Sequence, residues 1–348
     1  MDEAKPPELD SRKQTILQAI IVEYVHGAEP VGSELITKKY SLGVRSATIR
    51  NEMAEMLDLG FLEQPHTSSG RVPSDLGYRY YVDRLVVQRS LDENLQGAVK
   101  NAAKTGDALQ GLLQDTVRVM SHLTHLLSVA TTVRDMEVTV RTALVSALGP
   151  TQALLVFALS NGHVENRMVS CPEGLSLDDL GRANELLSSA LLGRTLKQVT
   201  KAKAPSVPGH PVAEKLLVPV WQQVQAIAKD MTRGRMVTDG EEFMLAQPEF
   251  RHDVGALTTL LDEVLRSDVM YESVAPGEQS QAVTIGKENR HPQMYRFSII
   301  RNSFYVGGKE AGVVALIGPT RLAYESGIPL VNFTAKTLSD SLTRFFGQ

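Results

Sequence analysis

The chain of 348 residues is long enough for two or three domains, because a single hydrophobic core rarely grows beyond about 250–300 residues. Hydrophobic residues make up 43% and charged residues 22%, which argues against disorder, a collagen-like repeat or a coiled-coil rod as the whole-chain structure. The 36 basic and 40 acidic residues give a net charge of −4, so binding to nucleic acid would require a local basic patch.

The composition predicts a cytoplasmic protein without a membrane anchor. No apolar run approaches the ~18 residues that a membrane-spanning helix needs. The first ten residues lack the basic start and the apolar stretch of a secretory signal. The single cysteine, Cys171, excludes an intrachain disulfide and suits a reducing compartment.

Two helices are predicted near the start of the chain. Ser11 and Gln14 have the spacing of a capping box, and apolar residues then recur at helical intervals through residues 16–25. A short second helix is predicted over residues 33–40. The four residues 41–44, which contain a central glycine, form a turn.

A third helix and a hairpin follow the turn. Ser46 is a good N-cap, and one face of the predicted helix buries Ile49, Met53 and Leu57. Residues 61–64 and 71–73 can form two strands on either side of a tip at 66–70. Three helices and an appended hairpin predict a winged helix-turn-helix. The alternative is an ordinary three-helix segment of a larger fold.

The rest of the chain predicts a second domain that contains an antiparallel sheet. Asn161-Gly162 between two strand-like runs indicates a hairpin, and Gly307-Gly308 indicates another. The predicted strands are 138–148, 152–159, 163–169, 296–306 and 312–317. The predicted helices are 95–128 (whole or in two pieces), 177–192, 212–232, 254–269 and 331–346.

These elements predict an α+β multidomain protein with an insertion in its sheet domain. The predicted division is a winged-helix domain at 1–88, a sheet domain with a leading helix at 89–194 and 275–348, and an inserted α+β domain at 195–274.

Motifs for catalysis or for a bound cofactor are not found in the sequence. Gly286-Lys287 lacks the glycine-rich lead and the following Ser or Thr of a phosphate-binding loop. His122 and His125 share a helix face, but no Cys or carboxylate cluster completes a metal site. Cys171 has no motif that places a His beside it. We therefore predict no enzyme activity, no metal and no cofactor.

Charges in the first 85 residues are segregated along the chain, although acids outnumber bases by 13 to 10. Residues 37–51 contain four basic residues and no acid, and the acids of the third helix follow them. The base-reading residues of a helix-turn-helix lie near the start of its recognition helix, where the helix dipole also favours phosphate. The basic segment is therefore the predicted DNA-facing surface.

Individual roles follow from side-chain chemistry. Arg can bind guanine and Asn can bind adenine through two hydrogen bonds, so Arg50 and Asn51 are the predicted base readers. Arg50 as a solvated or ion-paired surface residue is the alternative. The other predicted DNA contacts are Ala47 or Thr48 to a thymine methyl group, Arg45 and Ser46 to phosphate, Lys38 and Lys39 in the basic segment, and His66, Ser69 and Arg71 on the hairpin.

Residues 31–83, VGSELITKKYSLGVRSATIRNEMAEMLDLGFLEQPHTSSGRVPSDLGYRYYVD, resemble the HrcA heat-inducible transcription repressor family. The blocks SATIRNEM and SGRVPSDLGYRYYVD are more specific than a generic helix-turn-helix. Further similar blocks are QPEF at 247–250, TIGKEN at 284–289 and GPTR at 318–321, so the resemblance spans nearly the whole chain.

The resemblance implies a winged-helix head, a GAF-like sheet domain and an inserted dimerising domain. It also implies a homodimer that binds an inverted-repeat operator in double-stranded DNA upstream of chaperone operons and that the chaperonin keeps active. The alternative function is a metabolite-sensing transcription regulator whose GAF-like domain binds a small ligand. The same fold can hold a working ligand pocket or none.

Overall fold

A computed structural model describes residues 7–67, 69–103, 109–132, 138–160, 164–206, 209–233, 236–250, 268–275 and 282–346. The protein is a mixed α+β multidomain protein with antiparallel sheets. Its contacts divide it into two compact units, Met1–Thr132 with Met236–Gln348, and Val133–Arg235. Within the described ranges, no helix has the length and apolar character that crossing a membrane requires.

The first unit starts with three helices and a two-stranded antiparallel hairpin, in the predicted order. These elements are α1 (Ser11–Gly27), α2 (Ser33–Lys39), α3 (Ser46–Asp58), β1 (Leu62–Glu63) and β2 (Val72–Pro73). Val31 extends the hairpin by an isolated antiparallel bridge to Arg71, with both backbone hydrogen bonds at 2.9 Å. The segment between α1 and α2 is therefore tied to the hairpin.

Two predicted helix caps are wrong. The N-cap of α1 is Asp10 rather than Ser11, because the Asp10 carboxylate accepts a hydrogen bond from the Lys13 backbone N–H at 2.9 Å. Ser46 is the first residue of α3 and not its cap. Its hydroxyl lies 3.0 Å from that of Ser33, while the capping position is held by Arg45 without a side-chain hydrogen bond.

The remainder of the first unit surrounds a five-stranded antiparallel sheet. The helices are α4 (Asp75–Tyr80), which continues as a π-helical turn (Tyr81–Leu85), α5 (Glu93–Ala102) and α6 (Leu109–Thr124). The strands are β3 (Leu127–Thr132), β7 (Met236–Asp239), β8 (Val283–Ile285), β9 (Phe297–Val306) and β10 (Lys309–Pro319), in the order β7-β3-β10-β9-β8. Three further helices are α10 (Glu241–Leu245), α11 (Asp268–Val274) and α12 (Tyr324–Phe346).

Both faces of this sheet are covered, as the alternation along β10 requires. Val314 and Leu316 join the core formed with α6 and α12. Val313, Ala315 and Ile317 join a second core with residues of α10 and α11. The helical segment predicted at 95–128 consists of two pieces, and its end is strand β3 rather than helix.

The second unit has a sheet of its own. It contains β4 (Val140–Ala147), β5 (Gln152–Leu159) and β6 (Val164–Ser170), followed by α7 (Leu177–Leu191), α8 (Leu196–Lys201) and α9 (Pro211–Arg233). β5 pairs along its length with β4 on one side and β6 on the other. Its inward side chains pack with the helices of the same unit.

The single antiparallel sheet predicted for the second domain is therefore wrong, because the strands at 140–170 pair with one another and not with β9 or β10. The inserted compact unit is Val133–Arg235, whereas the sequence predicted an insertion at 195–274. The predicted turn at Asn161-Gly162 and most of the predicted helix at 254–269 lie outside the described residues.

Candidate nucleic-acid interface

Helix α3 has one buried face and one exposed face. Ile49, Met53 and Met56 are buried, and Met56 takes the place predicted for Leu57, which is only half-buried. The opposite face carries the predicted base-contacting residues. Ala47, Arg50 and Asn51 are exposed, and Thr48 is half-buried.

A buried carboxylate holds α3 against α1. The Lys13 ammonium lies 2.8 Å from the Glu52 carboxylate and 3.0 Å from those of Glu55 and Asp10. Arg12 contacts Glu52 from the other side at 3.3 Å. These hydrogen bonds raise the pKa of Lys13, that to Glu52 most strongly and those to Glu55 and Asp10 next. Two acids of α3 are therefore paired on the side that faces α1.

A cleft of about 350 Å³ lies between α3 and the hairpin. Arg50 from α3 and Arg71 from the hairpin both line it. The Arg71 Nε is buried and has no hydrogen-bond partner in the described part of the chain. Its Nη1 lies 3.4 Å and 3.5 Å from the carbonyl oxygens of Ser69 and Gly70, which is at the limit of hydrogen bonding. The guanidinium of Arg71 thus has donors to offer to an anion.

The cleft also contains residues that the sequence did not indicate as functional. Ser33 and Gln64 contribute polar groups to its wall. Gly70 is required there, because a Cβ at this position would lie 2.5 Å from the backbone of Val31. In the sequence, the one feature that indicated this close approach was the glycine of the block SGRV.

The hairpin tip is closed by its own hydrogen bonds. The Ser69 hydroxyl donates to the His66 carbonyl at 2.7 Å and accepts from the His66 N–H at 3.0 Å. Gln64 donates to the Thr67 carbonyl at 2.8 Å. Ser69 therefore shapes the tip, while His66 is exposed on it.

The predicted lysines differ in their surroundings. Lys38 and Lys39 are both exposed, but the Lys39 ammonium donates to the Glu23 carboxylate of α1 at 2.6 Å. This hydrogen bond is the main cause of the lowered pKa of Glu23. The Tyr40 hydroxyl donates a second hydrogen bond to the same carboxylate at 3.1 Å. The structure thus brings Arg50, Ser69 and Arg71 to one cleft, whereas Lys39 of α2 is paired with Glu23 of α1.

The two histidines considered as a metal pair pack on an aromatic ring instead. The rings of His122 and His125 lie 5.5 Å and 5.0 Å from that of Phe243. No group of three metal-ligating side chains occurs among the residues described.

Sequence similarity to known proteins assigns this chain to the class of transcription repressors. A relative from Pelotomaculum thermopropionicum, named heat-inducible transcription repressor HrcA, is 33% identical over 342 residues, which cover 97% of this chain and 98% of the relative. A relative of the same name from Symbiobacterium thermophilum is 34% identical over 97% of this chain and 100% of its own. The family model of the HrcA protein C-terminal domain matches residues 110–328. The chain belongs to the HrcA family, as the sequence blocks predicted.

One solved structure supports the fold. It is described as a hypothetical protein at 2.2 Å resolution and aligns with a TM-score of 0.63 and 20% identity, covering 97% of this chain and 99% of that chain. At this identity the similarity concerns the fold alone.

We predict that Glu52→Ala lowers the free energy of unfolding by about 1.5–3 kcal/mol, because it removes a charged hydrogen-bond acceptor from the contact between α1 and α3. The matched control is Glu55→Ala, which removes an exposed partner of the same lysine and should cost less than about 1 kcal/mol. Urea unfolding measures both values. Equal losses would show that Glu52 does not hold the helix in place.

Proposed function

We propose that this protein represses heat-shock chaperone operons by binding an inverted-repeat DNA operator as a homodimer. Residues 1–88 act as a winged helix-turn-helix, in which α3 enters the major groove and the hairpin is the wing. The five-stranded sheet domain is GAF-like, and the inserted unit dimerises. Family membership supports this function, and the exposed face of α3 with Arg50 and Asn51 is the observation that carries the DNA-binding role.

Base reading is assigned to the exposed side chains of α3. Arg50 and Asn51 form paired hydrogen bonds to guanine and adenine, and Ala47 or Thr48 contacts a thymine methyl group. The remaining DNA contacts are to phosphate for Lys38, Lys39, Arg45, Ser46 and Arg71, and to the backbone or minor groove for His66 and Ser69. Lys39 exchanges Glu23 for phosphate when DNA binds, and Glu23, whose side chain is 14% exposed, keeps the hydrogen bond from the Tyr40 hydroxyl.

The pairing of acids on α3 also favours this function. The chain is acidic overall, and unpaired carboxylates near a phosphate backbone would oppose binding. Lys13 offsets the charges of Glu52 and Glu55 on the α1 side of the helix. On the exposed face of α3, the charged side chain that lines the cleft is that of Arg50.

We predict different losses for the two arginines of the cleft. Arg50→Ala should remove discrimination at one base pair, about 1–3 kcal/mol, because a base contact carries sequence information. Arg71→Ala should weaken operator and unrelated duplexes alike and reduce the salt-dependence slope by about 1, because one phosphate contact is lost. Fluorescence anisotropy over a salt series measures both effects.

The control for this pair is Arg84→Ala, since Arg84 pairs with Glu8 and lies over the Tyr80 ring instead of lining the cleft. It should leave affinity and sequence preference near the wild-type values. If Arg50→Ala weakened all duplexes equally, Arg50 would be a phosphate contact and its base-reading role would be wrong.

The dimer is assigned to the outer face of the sheet in the inserted unit. Strand β5 is apolar on both faces, a pattern typical of strands covered on both sides. Leu155 and Phe157 are buried by the helices of the unit. On the other face, Leu144, Val164 and Met168 are 38%, 52% and 53% exposed. A second copy is the partner expected there, because a two-fold operator requires two chains.

We predict that Met168→Glu converts the dimer to a monomer and abolishes operator binding, because it places a charge in the apolar contact. Leu177→Glu is the matched control. Leu177 is 87% exposed in the first turn of α7, where the helix dipole favours an acidic residue. The Leu177→Glu variant should therefore remain a dimer. Sedimentation equilibrium measures the mass. A dimer that survives Met168→Glu would place the interface elsewhere.

The resemblance further supports control by the chaperonin through folding. Repression follows the fraction of folded dimer, since only the folded dimer holds two reading heads. We predict that mild heating lowers operator binding and that chaperonin with ATP restores it. The measurement is the bound fraction of operator duplex before heating, after heating and after chaperonin treatment. Equal binding in all three samples would contradict this control.

A further inference from the structure

We propose that two ion-pair clusters lock the DNA-reading head onto the sheet domain and thereby set which half-site spacing the dimer accepts. The head is residues 1–88, and the lock is Asp75, Arg79, Glu249, Glu288 and Arg321. This inference rests on the dimeric repressor function proposed above. It assigns the sequence blocks 247–250, 284–289 and 318–321, which the DNA-facing surface does not use, to the positioning of the head.

The first cluster joins α4 of the head to the turn after β8. Arg79 Nε donates to Glu288 Oε1 at 2.7 Å, and its Nη2 donates to the Val283 carbonyl at 2.8 Å. The Lys287 backbone N–H donates to the Asp75 carboxylate at 3.0 Å. Gly286 has a φ of +52°, and a Cβ there would overlap the Asp75 carboxylate. Backbone and side-chain atoms of the turn therefore both contact α4.

The second cluster joins the end of α1 to the segment after β10. Arg321 Nη1 donates to the Val25 carbonyl at 3.1 Å, and its Nη2 donates to Gln247 at 2.8 Å. The Glu249 carboxylate accepts from both Nε and Nη2 of the same guanidinium. The Arg321 side chain is only 13% exposed, so water competes little for these bonds. One arginine thus connects three separate segments.

Contacts between α4 and its π-helical continuation and the start of α12 add to this interface. The Tyr78 and Tyr324 rings lie 5.9 Å apart, and the Tyr81 hydroxyl donates to Glu325 at 2.8 Å. Arg89 lies 2.9 Å from the same carboxylate. The two clusters grip different helices of the head. Two points of attachment prevent the head from rotating about either one, whereas a single attachment would allow the head to rotate relative to the sheet domain.

A locked head has a consequence for the choice of operator. Insertion of about five base pairs between half-sites turns one half-site by about half a helical turn relative to the other. Two locked heads cannot both follow that rotation, so binding through both half-sites is lost. Heads released from the sheet domain can reorient and keep both contacts.

The test compares wild type with the double variant Arg79→Ala/Arg321→Ala on three duplexes. These carry the operator mapped by footprinting on the protein's own chaperone promoter, the same operator with five added base pairs, and one half-site. We expect wild type to bind the lengthened operator at least about tenfold more weakly than the native one, because it loses two-site binding. The double variant should show about twofold discrimination or less while binding the single half-site as wild type does.

Circular dichroism checks that the double variant is folded, and Arg84→Ala is the matched control with an exposed ion pair inside the head. If the double variant does not fold, Glu249→Gln/Glu288→Gln removes the negative partners of the same two ion pairs with little change in volume and must show the same loss of discrimination. A folded variant of either kind that keeps the wild-type spacing preference overturns the lock alone. Wild type that binds no operator overturns the proposed function, and with it the lock.

Discussion

The ion pair between Lys13 and Glu52 is the contact on which the proposed DNA-facing surface depends. It joins α1 to α3 on the side of α3 where Ile49, Met53 and Met56 are buried. Arg50 lies about half a helical turn from Glu52, and Asn51 lies about half a turn from Met53, so the burial of Glu52 and Met53 leaves Arg50 and Asn51 on the exposed side of the helix. The same pair removes an acid from the surface that would meet phosphate.

The hairpin completes that surface through backbone contacts. The bridge between Val31 and Arg71 and the close approach of Gly70 to Val31 tie the hairpin to the segment between α1 and α2. A cleft lies between the hairpin and α3, and it brings together Arg50 and Arg71 from these two elements. The helix that is proposed to read bases and the hairpin that is proposed to bind phosphate therefore lie side by side.

Local patterns in the sequence were enough to predict the helices of the head and the exposure of Arg50 and Asn51, because a period of 3.6 residues determines which side chains share a face. The sequence predicted Leu57 on the buried face of α3, where the structure has Met56. This choice depends on packing, which the periodicity does not resolve. The pairing of Lys39 with Glu23 joins residues of two helices and could not be read from either one. Membership of the HrcA family was carried by specific blocks, not by composition.

The partition into two sheets could not be predicted for a different reason. The apolar character of β5 marks a strand but carries no information about its partner, and β3 pairs with residues of β10 that are 180 to 190 positions away. A strand that is apolar on both faces suits a central position in either sheet. The unit boundaries at Val133 and Arg235 consequently follow from strand pairing that only the fold supplies.

In the proposed repressor, two copies of the exposed face of α3 read the major groove of a symmetric operator. Methylation interference on the chaperone promoter tests it directly, because dimethyl sulfate modifies guanine N7 in the major groove and adenine N3 in the minor groove. We expect methylated guanines to interfere at two positions related by a two-fold axis. Interference in one half-site only, or only from minor-groove adenines, would contradict it.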